Sequence, residues 1–195
     1  TPSVLLTNAV IFASGGAHLE LGEHLLANEY FPNDNLQMSD ELEKQLVAYY
    51  DFLVAYQNVL RDGGEFNQVQ LQSESNLSIR TIARKGSVWS FAKAFENRQL
   101  FHLINFVNAE TLDWRDDAGE QPEPQVLRNV PVSFQTERPV KSLWVASPDR
   151  NGGAPFSLEF EQKENRVYFV IPSLNYWDMV VAEYEPSSGI GARSE

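Results

Sequence analysis

The chain opens with the sequence SVLLTNAVIFAS at residues 3–14, an almost continuous apolar stretch that is rich in Val, Ile and Leu. Because the stretch lacks the polar alternation of a half-exposed strand, the pattern is typical of a strand that is buried on both faces. Such a strand pairs with parallel neighbours, which a short chain segment does not contain. The stretch therefore predicts a buried parallel strand whose partners this chain lacks; the alternative is that residues 1–64 dock on the strands that follow as a compact α+β domain.

A turn signal, Gly15-Gly16, follows the stretch, and residues 17–37 are then polar and rich in turn-forming residues. This segment is about twenty residues long, and structureless loops of that length are uncommon unless they carry a function. The pattern predicts a functional loop.

A helix is predicted from Ser39, which suits the N-cap, with two acidic residues in the first turn. Apolar side chains then recur at spacings of three and four: Leu42, Leu46, Tyr49, Tyr50, Leu53, Tyr56 and Leu60. Gly63-Gly64 can take the left-handed backbone conformation that ends a helix. Strand, long loop and helix together form the βα unit of an α/β fold.

From residue 65 the pattern changes to short strands separated by turn residues. The predicted strands are residues 77–83, 88–95, 100–108, 126–134, 142–146, 156–161, 167–171 and 179–184. Strands this short and this evenly spaced predict an antiparallel β-sandwich. Residues 186–195 have no periodicity and are predicted to be a disordered tail.

Composition excludes several classes of function. The net charge of −12 would repel a phosphate backbone, so no nucleic-acid partner is expected. No window approaches the roughly 18 apolar residues of a membrane span, and no signal peptide is visible in the chain. The lack of Cys excludes disulfides, thiolate metal sites and Cys nucleophiles.

Several blocks of sequence resemble one enzyme family over nearly the whole chain. They are NAVIFASGG at residues 8–16, LELGE at 19–23, NEYFPN at 28–33, YYDFLVAY at 49–56, LRD at 60–62 and IPSLNYWDMVV at 171–181. The chain resembles the dextranases and cycloisomaltooligosaccharide glucanotransferases of glycoside hydrolase family 66. The resemblance implies an α/β plus all-β chain. Residues 1–64 would be the C-terminal end of a (β/α)8 catalytic barrel, with its last strand at about residues 4–14 and its last helix at about residues 40–61. Residues 65–185 would be the family's C-terminal β-sandwich.

The resemblance also implies the chemistry. The family acts on α-1,6-glucan (dextran or isomaltooligosaccharides) by a retaining mechanism, which needs two carboxyls about 5 Å apart across the scissile bond. In the family both carboxyls lie on earlier barrel strands, so the resemblance implies no catalytic residue and no cofactor in this chain. The chain is expected to be inactive by itself, to need the remainder of its barrel, and to act in an extracellular or periplasmic location.

Loops at the carboxyl ends of barrel strands build the site of a (β/α)8 enzyme, so the loop at residues 14–37 would border the sugar cleft. Carboxylates, amides and imidazoles suit hexose hydroxyls, since each hydroxyl both donates and accepts. The candidate substrate-binding residues are Ser14, Gly16, His18, Glu20, Glu23, Asn33 and Asn35. Hydrogen bonds within the loop are the alternative role for its acidic and amide side chains.

Three other kinds of site are disfavoured. Glu20 and Glu23 lack an apolar pocket that would raise one pKa, as a catalytic pair requires. The order of His18, Glu20, Glu23 and His24 matches no known metal-binding spacing, so no metal is expected. The acidic residues 113–120 lack the alternating ligands of a calcium loop and are typical of a hairpin tip.

A noncatalytic module that binds polysaccharide or serves as a structural support remains the alternative function. Four tryptophans could stack on sugar rings: Trp89, Trp114, Trp144 and Trp177. Each lies in or beside a predicted strand, which favours core packing or a domain seam for at least three of them, and Trp114 is the preferred candidate for a sugar contact. A third hypothesis, an independent small enzyme that uses residues 20–24, is the weakest.

Overall fold

The structure, a computed structural model, describes residues 1–18, 38–113, 116 and 119–186. The helices in these ranges are α1 (Pro2–Ala13), α2 (Asp40–Ala55) and α3 (Gln57–Leu60). The strands are β1 (Glu65–Asn67), β2 (Gln72–Ser73), β3 (Ile79–Arg80), β4 (Ser87–Ala94), β5 (Arg98–Phe106), β6 (Leu127–Gln135), β7 (Val140–Ala146), β8 (Phe156–Ser157), β9 (Phe160–Lys163), β10 (Arg166–Leu174) and β11 (Trp177–Tyr184). No helix within the described ranges is long and apolar enough to cross a membrane.

The opening stretch is a helix, so the predicted strand at residues 3–14, and with it the barrel strand at about residues 4–14, is wrong. Pro2 occupies the first turn of α1, where its missing N–H is not needed. An apolar run of this kind has no period that separates a buried strand from a helix that is buried on most sides. Leu5, Ala9 and Phe12 are almost fully buried in the core that α1 shares with α2, β5 and β11. The buried side of this stretch therefore packs against elements of the chain itself.

The predicted helix at residues 40–61 is confirmed as α2 and α3, which are separated at Tyr56. Ser39 is the N-cap, since its Oγ accepts the backbone N–H of Leu42 at 3.2 Å. Gly63 and Gly64 have φ values of 97° and 70° and end the helical segment in the left-handed conformation.

Residues 65–184 form two sheets that pack face to face. The larger sheet has the order β1-β4-β5-β11-β7-β8, with β3 also paired to β4, and the smaller has the order β2-β6-β10-β9. All of these pairs are antiparallel except β3 with β4. The predicted antiparallel strands are therefore confirmed, although residues 156–161 divide between two strands in different sheets and the short β1 and β2 were not predicted.

The central strands of the larger sheet are apolar on both faces. On β5, Phe101 and Leu103 point into the core between the sheets, whereas Leu100 and Ile104 point outward to the helices. The helices cover this outer face, and Phe52 of α2 meets the buried Trp177 of β11 edge-on at 5.0 Å. The described part of the chain thus has three layers: helices, the larger sheet and the smaller sheet.

Candidate functional site

Three of the predicted sugar-binding residues, Ser14, Gly16 and His18, lie at the carboxyl end of α1. Ser14 is the exposed C-cap of the helix, and Gly15 follows with a φ of 81°. The N–H of Gly16 donates to the carbonyl of Ile11 at 2.9 Å, and that of Gly15 donates to the carbonyl of Phe12 at 3.0 Å. This pair of bonds is a Schellman motif, in which glycine takes the left-handed position. The Gly15-Gly16 signal therefore marks the end of a helix.

His18 turns back onto α1. Its Nε2 is hydrogen-bonded to the Oδ1 of Asn8, and its ring centroid lies 5.7 Å from that of Phe12. Burial lowers the pKa of the imidazole below its ordinary value, so the ring is neutral at pH 7. Asn8 is fully buried, and its Nδ2 has no hydrogen-bond partner among the residues that the structure describes. His18 is thus held by α1, and its predicted contact with sugar stays a prediction.

The remaining predicted contacts lie outside the described residues. They are Glu20, Glu23, Asn33 and Asn35. His24 and Trp114 lie outside them as well. Within the described ranges, no group of three or more His, Asp and Glu side chains could hold a metal ion.

A partly buried carboxylate, Asp149, joins α2 to the sandwich, and the sequence pattern did not predict it. Its Oδ1 accepts the hydroxyl of Tyr49 at 2.8 Å, and its Oδ2 accepts the backbone N–H groups of Tyr176 and Trp177, each at 2.9 Å. Burial raises the pKa of Asp149, whereas these hydrogen bonds oppose the rise. Both carboxylate oxygens are therefore used within the fold.

A second carboxylate, Asp178, is fully buried on β11. Arg150 binds it with two hydrogen bonds, of 2.7 Å and 3.0 Å, and also donates to the carbonyl of Ser173 at 2.8 Å. Burial raises the pKa of Asp178 to about 7 in spite of the guanidinium. Residues 149–153 read as an ordinary turn and Asp178 as an ordinary strand residue, since nothing in the neighbouring sequence indicates that either carboxylate is held inside the fold.

These carboxylates do not form a hydrolytic pair. Retaining hydrolysis requires two carboxyls that face each other across an open sugar cleft. Asp149 and Asp178 are bound internally, and the exposed Glu123 accepts the hydroxyl of Tyr176 at 2.6 Å. We call the contact between the helix layer and the larger sheet the seam. Within the described ranges, the acidic groups at the seam hold the helix layer to the sheet.

Two of the four tryptophans pack at the same seam. Trp177 is fully buried, and its Nε1 donates to the Nδ1 of the buried His102 at 3.1 Å. Trp144 lies with its ring centroid 6.2 Å from that of Tyr56. Core packing is therefore confirmed for Trp177 and a seam position for Trp144, whereas Trp89 is partly exposed.

Comparison with known proteins identifies related chains. The family model described as "Glycosyl hydrolase family 66" matches residues 1–181. A cycloisomaltooligosaccharide glucanotransferase from Niallia circulans is 33% identical over 187 residues, which cover 91% of this chain and 19% of that protein. A dextranase from Streptococcus salivarius is 24% identical over 208 residues, which cover 91% of this chain and 25% of that protein.

A solved structure shares the fold. It is the crystal structure of a cycloisomaltooligosaccharide glucanotransferase from Paenibacillus sp., complexed with cycloisomaltoheptaose. It matches with a TM-score of 0.81 and 30% identity, and the match covers 92% of this chain and 27% of that chain. The chain thus spans about a fifth to a quarter of the length of the curated relatives it matches.

Proposed function

We propose, from the premise that this chain belongs to glycosyl hydrolase family 66, that it is the C-terminal portion of an enzyme that acts on α-1,6-glucan. Residues 1–64 would complete the catalytic domain, and residues 65–185 would be the β-sandwich appended to it. The enzyme would cleave dextran or isomaltooligosaccharides and transfer the glucosyl unit to water or to a sugar. It would work outside the cytoplasm, because dextran is too large to be imported intact.

The observation that carries this proposal is the extent of the structural match. Nearly all of this chain, 92%, superposes on a glucanotransferase of which it covers only 27%. A retaining mechanism places a nucleophile and an acid/base carboxyl on either side of the bond. The carboxylates Asp149 and Asp178 are bound internally, which supports the proposal that both catalytic groups lie in the part of the enzyme that precedes this chain.

The outward face of α1 carries an apolar groove, which is consistent with contact to a further part of the enzyme. Leu6, Val10 and Ile11 of the helix and Leu112 of the loop after β5 line an apolar groove of about 230 Å³. Leu112 is 45% exposed, and exposed apolar patches commonly mark interaction surfaces. We assign this groove to contact with the remainder of the catalytic domain.

The test is turnover by the purified chain. We expect no new reducing ends from dextran and no cyclic products from isomaltooligosaccharides. A double variant, Glu20→Gln with Glu23→Gln, is the matched control for the acids that the chain itself carries. If the chain turned over substrate and the double variant did not, the proposal would be contradicted, since that result would locate a catalytic pair within residues 20–23.

A noncatalytic role in holding polysaccharide is the second candidate. The partial exposure of Trp89 favours it, because an accessible indole can stack on a sugar ring. In a gel that contains dextran, retarded migration of the inactive chain would support this role, and unretarded migration would contradict it.

A further inference from the structure

A cleft opens where the edge of β4 is unpaired. On this edge β1 pairs with residues 92–94 and β3 pairs with residues 88–89, so Ser90 and Phe91 lie between the two short strands. The cleft there has a volume of about 330 Å³, within the usual range of small-ligand pockets. We call it the β4 cleft; its lining includes Ser14, Phe66, Gln68, Gln70, Trp89 and Phe91.

Three aromatic rings line one side of the β4 cleft. The ring centroids of Trp89 and Phe91 are 4.6 Å apart, and those of Phe91 and Phe66 are 6.0 Å apart. Trp89 is held in place because its Nε1 donates to the carbonyl of Thr81 at 3.1 Å. Phe66 is 56% exposed, which is unusual for so large an apolar side chain. The rings thus offer a fixed apolar surface to solvent.

The polar part of the lining is uncharged. Among the residues that the structure describes, no ionisable side chain lines the β4 cleft, although the protein carries a net charge of −12. Gln68 and Gln70 are exposed, and their side-chain amides make no hydrogen bond to any part of the chain that the structure describes. Ser90 is 4% exposed, and its Oγ has no partner among those same residues. These amides leave both donors and acceptors available.

The lining selects among ligand classes. An anion would require Arg or Lys in the lining and a cation would require carboxylates. The described lining has neither, and the ammonium of Lys93, which lies 5.7 Å from the centroid of the Phe66 ring, is bound to the carbonyl of Leu60. The gap between β1 and β3 is only two residues long, which is too short for an added peptide strand. A pyranose has an apolar face of C–H groups that suits an aromatic ring and a rim of hydroxyls that suits amides.

We infer that the β4 cleft is a sugar-binding site that takes one or two pyranose units of a neutral glycan. Phe66 and Trp89 supply the stacking surface, and Gln68 and Gln70 bind hydroxyls. The choice of α-1,6-glucan as its ligand rests on the proposed function. In the intact enzyme such a site holds the polymer close to the catalytic domain and raises the local substrate concentration.

The experiment measures binding by the whole chain. Migration is followed in gels that contain dextran, and tryptophan fluorescence is titrated with isomaltooligosaccharides, maltoheptaose and cellohexaose. Phe66→Ala removes the most exposed ring and Gln68→Ala removes an amide. Val54→Ala is the matched control, since Val54 is 70% exposed on α2 and does not line the cleft. Thermal melting verifies that each variant is folded.

We expect dextran to retard the chain and the Val54→Ala variant equally, and Phe66→Ala to bind about five- to tenfold more weakly. Binding that Phe66→Ala does not weaken, or the lack of a response to every glucan, would overturn the assignment. If the chain binds another glucan in a Phe66-dependent way but not the α-1,6 series, the sugar site stands and the proposed substrate class is contradicted.

Discussion

The hydroxyl of Tyr49 on α2 donates a 2.8 Å hydrogen bond to the carboxylate of Asp149, one hundred residues later in the chain. The other oxygen of that carboxylate accepts two backbone N–H groups at the start of β11. One side chain therefore satisfies donors from the helix layer and from the sheet. This joint holds α2 in register with the larger sheet, beside the buried contact of Phe52 with Trp177.

Replacing Tyr49 with Phe tests this joint. The substitution removes one of the hydrogen-bond donors to Asp149, a carboxylate whose pKa is already raised by burial. We therefore expect the free energy of unfolding to fall by about 1–3 kcal/mol. Urea denaturation measures the change. Tyr168→Phe is the control, since the Tyr168 hydroxyl makes no hydrogen bond within the described ranges. Equal stabilities of the two variants would show that the Tyr49 bond contributes nothing.

Arg150→Met tests the buried ion pair and its dependence on pH. The pKa of Asp178 is raised to about 7, above the ordinary 3.8, so its favourable contribution is complete below pH 3.8 and is lost as the pH rises to 7. Without Arg150 the ionised carboxylate loses its guanidinium partner, and we expect a loss of about 3–5 kcal/mol at pH 8 and a smaller loss at pH 5.

The control for this pair is Lys163→Met, which removes an exposed ion pair with Glu161. An exposed pair contributes little to stability because solvent screens it, so its loss should be small at both pH values. Chemical denaturation at pH 5 and pH 8 provides the comparison. A larger loss for Arg150→Met at pH 5 than at pH 8 would contradict the sign of the Asp178 shift.

His102 should make the protein less stable in acid. Burial, assisted by the charge of Lys93, lowers its pKa from 6.5 to about 3. A lowered pKa contributes stability that is present above pH 6.5 and is lost as the pH falls towards 3, which amounts to about 2 kcal/mol at pH 5. His102→Gln should flatten this part of the stability curve. The imidazole should also remain neutral at pH 5 in NMR spectra, and a midpoint near pH 6 would disprove this prediction.

Gly153 and Gly152 form a matched pair at the same seam. Both have positive φ, 80° and 59°, so alanine is strained at either position. A Cβ at Gly153 would lie 3.0 Å from the ring of Phe52, whereas a Cβ at Gly152 would meet nothing within 4 Å. We expect Gly153→Ala to be less stable than Gly152→Ala by about 1–3 kcal/mol in thermal melts. Identical melting temperatures would show that Phe52 accommodates the extra atom.

Short-range patterns were sufficient for several elements. The N-cap at Ser39 and the alternation along β4 involve neighbours in sequence, so they could be predicted before any contact was known. The family resemblance, confirmed by the match over residues 1–181, likewise depended on contiguous blocks. The strand assigned to residues 3–14 failed because an uninterrupted apolar run fits a buried helix as well as a buried strand.

The seam and the β4 cleft depend on residues that are distant in sequence. Asp149 and Asp178 look like ordinary turn and strand residues until Tyr49 and Arg150 are placed beside them. Phe66, Gln68 and Trp89 acquire a common role only because β1 and β3 leave part of β4 uncovered. Sequence was enough for local conformation and family, since both follow from neighbouring residues. Burial, ionisation and the cleft required the folded chain, because desolvation and hydrogen bonding depend on which distant groups meet.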